Sequence, residues 1–400
     1  MRLPPFKGSF TQQEPIPEAA IAAATNVMRT GRLHRYNTVD GEVPETVALE
    51  REYARWQGAP YCLAVASGGQ AMQIALRAAG VTDSDKVLTN AFTLAPVPGA
   101  IAGVGAEPVL VEITEDLVID LQDFREKAQA SGAKFLVLSN MRGHLCDMDA
   151  LSALADELGI VVIEDCAHTM GAAWRGQKSG NFGLAGCFST QTYKHINSGE
   201  GGFITSSDPV FMARATILSG SYMLFDRHGA GPDPDIYADI KLDTPNLSAR
   251  MDNLRAAILR PQLVGLDRAI ARWNELYAAV ESALHGYPSI RLPVRPEPEF
   301  YVGSSIQFLM PDIDEAMARA FMRSTAERGV ELKWFGDREP VAFTSAHTSW
   351  RFVPPHSLPH TDRILSGLFD MRLPLTFSVA DCMLIAAHIV DAATELMADA

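Results

Sequence analysis

"DMDALSALADELGIVVIED", residues 147–165, sets a helical period directly before a continuous apolar run. Asp147 or Asp149 can cap the helix at its start, and Gly159 can end it. The apolar residues between them recur at helical spacing: Leu151, Leu154, Ala155 and Leu158. The run that follows, IVVIED (160–165), is typical of a strand that crossover helices bury on both faces. The stretch therefore predicts one helix–strand unit of a parallel α/β sheet.

The same alternation of apolar runs and helical periods extends over about 45–210. Four further strands are predicted: YCLAVAS (61–67), KVLTNAF (86–92), EPVLVEI (107–113) and KFLVLSN (134–140). Strands that alternate with helices are typical of a mostly parallel sheet flanked by helices. The fold class that we predict is therefore α/β.

The pattern changes near residue 230, where a segment rich in Gly, Pro and Asp precedes a long helical stretch over roughly 248–285. A smaller set of strands and helices follows it. We expect three parts: an N-terminal arm and helix over 1–40, a large α/β domain over 41–250, and a linker helix with a small α+β domain over 251–400.

The composition, with 47% hydrophobic and 20% charged residues, is that of a globular chain with ample core. A net charge of −14 opposes binding to nucleic acid or to an anionic membrane. The five cysteines are scattered and form no C-x-x-C pair, which favours reduced thiols in the cytoplasm over a disulfide framework or a zinc site. No apolar leader and no apolar run of about 20 residues is present, so we expect neither secretion nor a membrane span.

Three segments of the predicted sheet carry residues with useful chemistry. In the first, Ser67, Gly68 and Gly69 stand where a strand ends and a helix begins. Backbone N–H groups at such a turn can face an anion, and phosphate is the usual occupant. The alternative is a tight turn that needs glycine for its backbone conformation alone.

The second segment ends the buried strand with Glu164 and Asp165, and His168 follows three residues later. In an open α/β sheet this edge is where ligands bind. A buried carboxylate needs a cation or several donors, and a protonated pyridine ring would supply such a cation. The alternative is that Asp165 caps the next element and that His168 is an ordinary polar residue.

The third segment, FSTQTYKHINSGEGG (188–202), holds Lys194 ahead of three glycines. A lysine becomes a nucleophile where burial or nearby positive charge lowers its pKa, although most lysines are solvated. The three segments gain specificity from their order: a glycine-rich turn, a strand-terminal aspartate and then a lysine. A pyridoxal 5′-phosphate (PLP) site needs this order, because the segments supply a phosphate cup, a partner for the pyridine nitrogen and a Schiff-base lysine.

Four segments carry a resemblance to a known family: SGGQAMQIAL (67–76), VIEDCAHTMGA (162–172), GQKSGNFGLAGCFSTQTYKHINSGEGG (176–202) and LSARMDNLRAAILRPQLVGLD (247–267). They resemble the motifs of the DegT/DnrJ-type aminotransferases, the sugar aminotransferase group of the fold-type-I PLP enzymes. The third segment is the most specific match, and the resemblance covers nearly the whole chain. It implies PLP as the cofactor and a homodimer with two active sites at the subunit interface.

The resemblance also implies a role for each matched residue. Lys194 would bind the cofactor covalently, Asp165 would pair with its pyridinium nitrogen, and His168 would lie near its ring. The phosphate would be held by backbone N–H groups and one hydroxyl, from Gly68, Gly69 and Ser189. No metal site is implied.

Three positions depart from the family pattern. Gly69 stands where the family has Thr, so one hydroxyl contact to the phosphate is lost. Leu94 stands where a ring-stacking aromatic is usual, and Phe92, two residues earlier, is a candidate substitute. Ser248 takes the place of an Asn that one subunit lends to the other's cofactor phosphate, and Asn246 lies two residues away.

Two further segments are candidates for substrate contact. GRLHRY (31–36) concentrates Arg32, His34 and Arg35 in the region that approaches substrate in the family, although a solvated basic turn is equally compatible. KWFGDR carries Trp334, which is either a packing residue or part of the substrate cleft.

The activity we expect is transfer of an amino group from glutamate or glutamine to the carbonyl of a small metabolite. The resemblance implies a nucleotide-linked keto sugar or a keto cyclitol as the acceptor. Alternatives are a dehydratase on the same fold, in which His replaces the lysine, and a non-catalytic regulator. A nicotinamide-dependent enzyme is disfavoured because no G-x-G-x-x-G follows the first strands.

Overall fold

The computed structural model describes residues 3–311, 313–342, 344 and 346–398. The α-helices in these residues are α1 (Glu18–Thr30), α2 (Glu45–Gln57), α3 (Gly68–Ala78), α4 (Pro96–Gly103), α5 (Leu121–Ser131), α6 (Met148–Leu158), α7 (Pro209–Ser219), α8 (Tyr237–Asp243), α9 (Asn253–Leu284), α10 (Glu315–Glu327), α11 (Pro359–Ser366) and α12 (Val379–Ala398). The strands are β1 (Tyr61–Val65), β2 (Lys86–Asn90), β3 (Glu107–Val111), β4 (Phe135–Ser139), β5 (Val161–Asp165), β6 (Ala173–Trp174), β7 (Gln177–Lys178), β8 (Ala185–Ser189), β9 (Gly202–Ser206), β10 (Glu299–Phe300), β11 (Ser305–Leu309), β12 (Lys333–Trp334) and β13 (Leu368–Arg372).

The strand predicted from IVVIED is the middle strand of the large sheet, whose order in the described chain is β1-β9-β8-β5-β4-β2-β3. β5 pairs in parallel with β4 on one side and with β8 on the other. β9 runs antiparallel to both of its neighbours. The α/β prediction and the mostly parallel sheet are therefore confirmed.

The helix before β5 also forms as predicted. Asp147 is the cap, because its side chain accepts a hydrogen bond from the backbone N–H of Ala150 at 2.9 Å. Gly159 ends α6 in the left-handed conformation, with φ 63°. Leu151 and Leu154 are buried in the core that lies on one face of the sheet. This short unit fixes where the carboxyl end of β5 lies.

A second sheet, with the order β11-β13-β12, packs with α10, α12 and part of α9 in the C-terminal region. In this sheet β12 is short, because only Lys333 and Trp334 pair with β13. β13 itself was not anticipated. The N-terminal arm packs on this core, where the rings of Phe6 and Phe10 meet that of Phe377. The three-part division at 40 and 250 stays a prediction.

Across the described residues no helix is both long and apolar enough to span a bilayer. Within the same residues no group of three or more His, Cys, Asp or Glu side chains is arranged to hold a metal ion.

Candidate active site

Polar side chains from neighbouring strands meet at the carboxyl edge of the large sheet. β2 ends at Asn90, β4 at Ser139 and β5 at Asp165. The Asn90 side chain accepts from the Ser139 backbone N–H at 2.9 Å and donates to its carbonyl at 3.0 Å. The Ser139 hydroxyl in turn donates to Asp165 Oδ2 at 3.3 Å. This chain of hydrogen bonds fixes the orientation of the Asp165 carboxylate.

The Asp165 carboxylate is buried, with 7% of the residue exposed, and its other oxygen accepts from the Ala167 N–H at 3.1 Å. Burial raises the pKa of this carboxyl, while the Ala167 N–H, the charge of Lys194 and the Ser139 hydroxyl oppose the rise. Because so few donors surround the ionised form, a cationic ligand would stabilise it. Asp165 therefore suits a protonated ring nitrogen.

The adjacent carboxylate of Glu164 has a different task. It accepts from the backbone N–H groups of Gly180, Phe182 and Gly183 at 2.8, 2.8 and 3.0 Å. These bonds tie the loop before β8 to the sheet. Of the two strand-terminal carboxylates, Asp165 is the one on the side of Lys194.

Lys194 and His168 are brought together, with 2.8 Å between Lys194 Nζ and His168 Nε2. Burial and then the positive charge of Arg142 lower the pKa of Lys194 to about 7, and Asp165 opposes that shift. Burial and then the charge of Lys194 hold the pKa of His168 well below its usual value. The lowered pKa of Lys194 favours the free amine, the form that attacks a carbonyl.

The glycine turn packs closely against the end of β8 and forms a cup there. Ser67 caps α3 by accepting from the backbone N–H of Gln70 at 3.1 Å. A Cβ at Gly68 would lie 2.8 Å from Ser189 Cβ, and one at Gly202 would lie 2.6 Å from the Ser67 carbonyl carbon. Glycine at these positions lets the start of α3 approach the end of β8. The start of a helix suits an anion such as phosphate. The contact of Gly68, Gly69 and Ser189 with a cofactor phosphate stays a prediction.

Position 69 has room for a side chain, unlike position 68. A Cβ at Gly69 would have the Ser67 Oγ as its nearest neighbour, at 3.9 Å. The backbone at this position therefore leaves room for a Cβ. Gly69 has no hydroxyl to contact a phosphate, and its neighbours do not require a glycine at this position.

Leu94, and not Phe92, lies beside Lys194. Leu94 lines a cavity of about 160 Å³ together with Lys194 and His168. Phe92 is fully buried, and its ring packs edge-on against that of Phe335 with 5.1 Å between centroids. The buried position of Phe92 therefore argues against its taking the role of the family's ring-stacking aromatic. The aliphatic side chain of Leu94 lies at the cavity instead.

Asn246 and Ser248 lie together on an exposed loop. The Asn246 side-chain oxygen accepts from the Ser248 N–H at 2.9 Å, and Ser248 has a left-handed φ of 51°. Neither residue is among the described side chains that line the cavity at Lys194 of the same chain. Their contact with a cofactor phosphate stays a prediction that requires the partner subunit.

The candidate substrate residues take other places. Arg35 is buried in a two-pronged ion pair with Glu50, with both N–O distances at 2.8 Å. Arg32 pairs with Glu42 at 2.7 Å, and the side chain of His34 is exposed. The Trp334 indole is buried and donates to the Ser366 carbonyl at 2.8 Å. These partners argue against substrate contact by Arg35 and Trp334, since both side chains are held in the core.

Three cationic side chains at the cavity were missed: Arg142, Lys333 and Arg372. Arg142 follows β4 directly, so the rule that ligands bind at strand ends could have found it. Lys333 and Arg372 belong to the second sheet. No local pattern in the sequence indicates that this sheet faces Lys194.

The residues at this edge fit PLP. The cup at Gly68 and Ser189 suits a phosphate, the Lys194 amine suits an aldehyde, and the buried Asp165 suits a pyridinium nitrogen. A mostly parallel sheet with this set at its carboxyl edge defines the class of fold-type-I PLP enzymes.

The comparisons with known proteins give the family. The model of the DegT/DnrJ/EryC1/StrS aminotransferase family matches residues 16–389, so the chain belongs to this family. Pyridoxal 5′-phosphate is therefore the cofactor of this protein.

Two curated relatives are similar over part of their length. A dTDP-3-amino-3,4,6-trideoxy-α-D-glucose transaminase of Streptomyces venezuelae is 32% identical over 63% of this chain and 63% of its own length. An L-glutamine:2-deoxy-scyllo-inosose aminotransferase of Streptomyces kanamyceticus is 31% identical over 64% of this chain and 60% of its own. The chain thus matches somewhat less than two thirds of each relative.

A solved structure shows the same fold over nearly the full length. The crystal structure of 3-amino-5-hydroxybenzoic acid synthase superposes with a TM-score of 0.83 and 24% identity. The match covers 98% of this chain and 100% of that one.

The cup predicts a sharp difference between two adjacent glycines. Gly68→Ala is expected to weaken PLP binding at least about tenfold and to cost about 1–3 kcal/mol of stability, because the new methyl collides with Ser189. Gly69→Ala, the matched control, should bind PLP as the parent does, since its methyl makes only an ordinary van der Waals contact with Ser67 Oγ. Equilibrium dialysis and thermal melts measure both effects. Equal PLP affinity in the two variants would refute the cup.

Proposed function

We propose that this protein is an aminotransferase that moves an amino group from an amino acid donor, glutamate or glutamine, to the carbonyl of a small metabolite. One observation carries the proposal. The buried amine of Lys194, with its pKa lowered to about 7, stands at the same sheet edge as the Asp165 carboxylate and in contact with His168. An amine in this state is suited both to bind an aldehyde and to carry a proton.

Each residue has a physical task in that reaction. Bound PLP supplies an electron sink for the bond that breaks at the substrate's Cα. Asp165 holds a proton on the ring nitrogen, which keeps the ring electron-poor. The Nζ amine of Lys194 would be the base that takes the proton from the substrate's Cα and the acid that returns one. His168 accepts from or donates to that amine and keeps it in place.

The acceptor we propose is a nucleotide-linked keto sugar or a keto cyclitol. The support comes from the two curated relatives, whose names state one substrate of each kind, and from the glutamine named as donor for one of them. Since this chain matches less than two thirds of either, the substrate is inferred from family membership and not from a full-length match.

The residues of the site disfavour two other functions, a dehydratase and a non-catalytic regulator. A dehydratase of this fold would carry His at the lysine position, and the chain carries Lys194 there. A non-catalytic regulator has no use for a lysine of lowered pKa beside a buried carboxylate, because both are costly to bury. The site therefore favours transamination.

We also propose that the protein works as a homodimer in the cytoplasm. Large apolar side chains on the surface support a partner subunit, among them Val264, which is 88% exposed and lines a cavity of about 790 Å³ that reaches Lys194. The five cysteines are all buried free thiols, which supports a reducing compartment.

The experiment that tests the activity separates its two half-reactions. Protein reconstituted with PLP is expected to lose its visible absorbance on addition of glutamate or glutamine, and the amine form of the cofactor should then react with only some carbonyl compounds. A panel of keto sugars, keto cyclitols and simple keto acids, followed by return of the absorbance, identifies the acceptor class. Absorbance that no amino donor bleaches would favour the regulator and contradict the proposal.

A further inference from the structure

Three positively charged side chains line the cavity beside Lys194, and apart from lowering the pKa of Lys194 they have no part in the roles above. Arg142 follows β4, Lys333 lies in β12 and Arg372 ends β13. All three line the same cavity of about 160 Å³ as Lys194. We refer to Arg142, Lys333 and Arg372 as the cationic cluster.

The described residues neutralise this cluster only in part. Asp370 is the buried carboxylate that pairs with it, at 2.9 Å from Arg142 Nη2 and 3.5 Å from Lys333 Nζ. One Asp370 oxygen also accepts from the Gln307 amide at 2.7 Å. Glu331 lines the cavity as well, but its side chain is exposed. Three positive charges thus share one buried negative charge.

Arg372 is the cluster member with the weakest neutralisation. Its guanidinium carbon lies 4.1 Å from the centroid of the Tyr193 ring, and no carboxylate among the described residues lies within ion-pair distance of it. Burial and then the charge of Arg142 lower the pKa of Arg372 to about 10. An anion between the two arginines would relieve both effects.

Arg142 is held in the cavity by an uncommon backbone conformation. Its φ is 57°, in the left-handed region that non-glycine residues seldom occupy. The residue is 8% exposed, and its Nε makes no hydrogen bond to any described residue. A buried guanidinium with an unused donor and a strained backbone is a feature of a binding site rather than of a core.

From this geometry we propose that Arg142 and Arg372 bind a carboxylate that the substrate carries close to its reacting carbon. Guanidinium groups hold carboxylates through paired charge-assisted hydrogen bonds, and two of them here face one small cavity. Because that cavity also contains the Lys194 amine, a carboxylate bound there lies near the carbon that reacts. The inference rests on the proposed function and narrows its substrate.

Two substrates could bring such a carboxylate. The amino donor has one on its Cα, and an acceptor would have one if it were a keto acid or a carboxylated keto ring. A neutral keto ring, or one whose charge lies on a distant nucleotide, has no carboxylate near its reacting carbon for these two arginines to bind. Both sources present the same group, a carboxylate. Because donor and acceptor react in separate half-reactions, kinetics of each half-reaction show which of them carries it.

Binding is measured first, without turnover. Succinate and its neutral analogue succinamide are titrated into the PLP-loaded protein by calorimetry. Succinate is expected to bind the parent at least about tenfold more tightly than succinamide, and Arg372→Met should abolish that preference. Arg372→Lys should keep part of it. The control is Arg214→Met, which removes an exposed arginine on α7 and should change nothing.

Kinetics then identify the source of the carboxylate. In the half-reaction whose substrate carries it, Arg372→Met is expected to raise KM at least about tenfold while kcat changes much less. Arg142→Met should act in the same way, but Arg372→Met is the primary variant because Arg142 is buried and ion-paired. Melting temperatures show whether each variant folds.

The results that overturn the inference are separate from those that overturn the proposed function. Equal binding of succinate and succinamide by the parent, or unchanged succinate binding in Arg372→Met, refutes the carboxylate site. Unchanged KM in both half-reactions also refutes it. If Arg372→Met loses the preference for succinate while the parent protein transaminates no substrate, the carboxylate site stands and the proposed aminotransferase activity is refuted.

Discussion

Lys194→Ala is expected to lose transamination by at least about four orders of magnitude while it still binds PLP without a covalent link. The variant removes both the group that binds the aldehyde and the group that carries the proton. Lys333 lines the same cavity, but Asp370 holds its ammonium at 3.5 Å. It is therefore a poor substitute for the lost base. Single-turnover kinetics with glutamate measure the loss.

The controls for this variant distinguish chemistry from folding. Lys86→Ala removes an exposed lysine at the amino end of β2, far from the carboxyl edge, and should keep full activity. Lys194→Ala should melt no lower than the parent in the absence of PLP, because burial and Arg142 disfavour the ammonium form. Retained turnover in a folded Lys194→Ala protein would show that another base serves.

Asp165→Asn is expected to lower kcat at least about a thousandfold with little change in stability. The amide has the size of the carboxylate and can keep the hydrogen bonds from Ser139 and the Ala167 N–H. It has no negative charge, so it cannot hold a proton on the ring nitrogen. Single-turnover rates and the ultraviolet–visible spectrum of the bound cofactor measure the effect.

For the neighbouring carboxylate, Glu164, we expect a loss of stability and little change in activity. Glu164→Gln should lower stability by about 1–3 kcal/mol, because three backbone N–H groups lose an ionised acceptor. Its activity per folded molecule should stay close to that of the parent. Near-normal turnover in Asp165→Asn, or a larger catalytic loss in Glu164→Gln, would contradict the roles assigned to the two.

Much of the fold follows from the sequence because its signals are local. The cap at Asp147, the apolar spacing of α6 and the left-handed Gly159 all act within one helix, and the buried run that becomes β5 follows at once. The site residues predicted from the sequence rest on the same kind of local signal. Asp165 and the glycines of the cup stand at strand ends, where the polypeptide must leave the sheet.

Other parts of the site depend on contacts between distant segments. Phe92 is a candidate substitute for the ring-stacking aromatic because it lies two residues before Leu94, but β2 ends at Asn90 and the alternation of side chains ends with it. Arg372 reaches the site from the second sheet, across about 180 residues from Lys194 in the sequence. Arg35 is basic and close to the expected substrate region, yet Glu50 holds it in the core.

The most direct measurement of the central claim is the site of covalent attachment. PLP-loaded protein is reduced with borohydride, digested and examined by mass spectrometry. We predict a pyridoxyl adduct on Lys194, in the peptide that contains the GEGG turn, with Lys86→Ala labelled as the parent is and Lys194→Ala unlabelled. If no pyridoxyl adduct is detected on Lys194 of the parent, or if the adduct is on Lys333 or any other lysine, the account is contradicted.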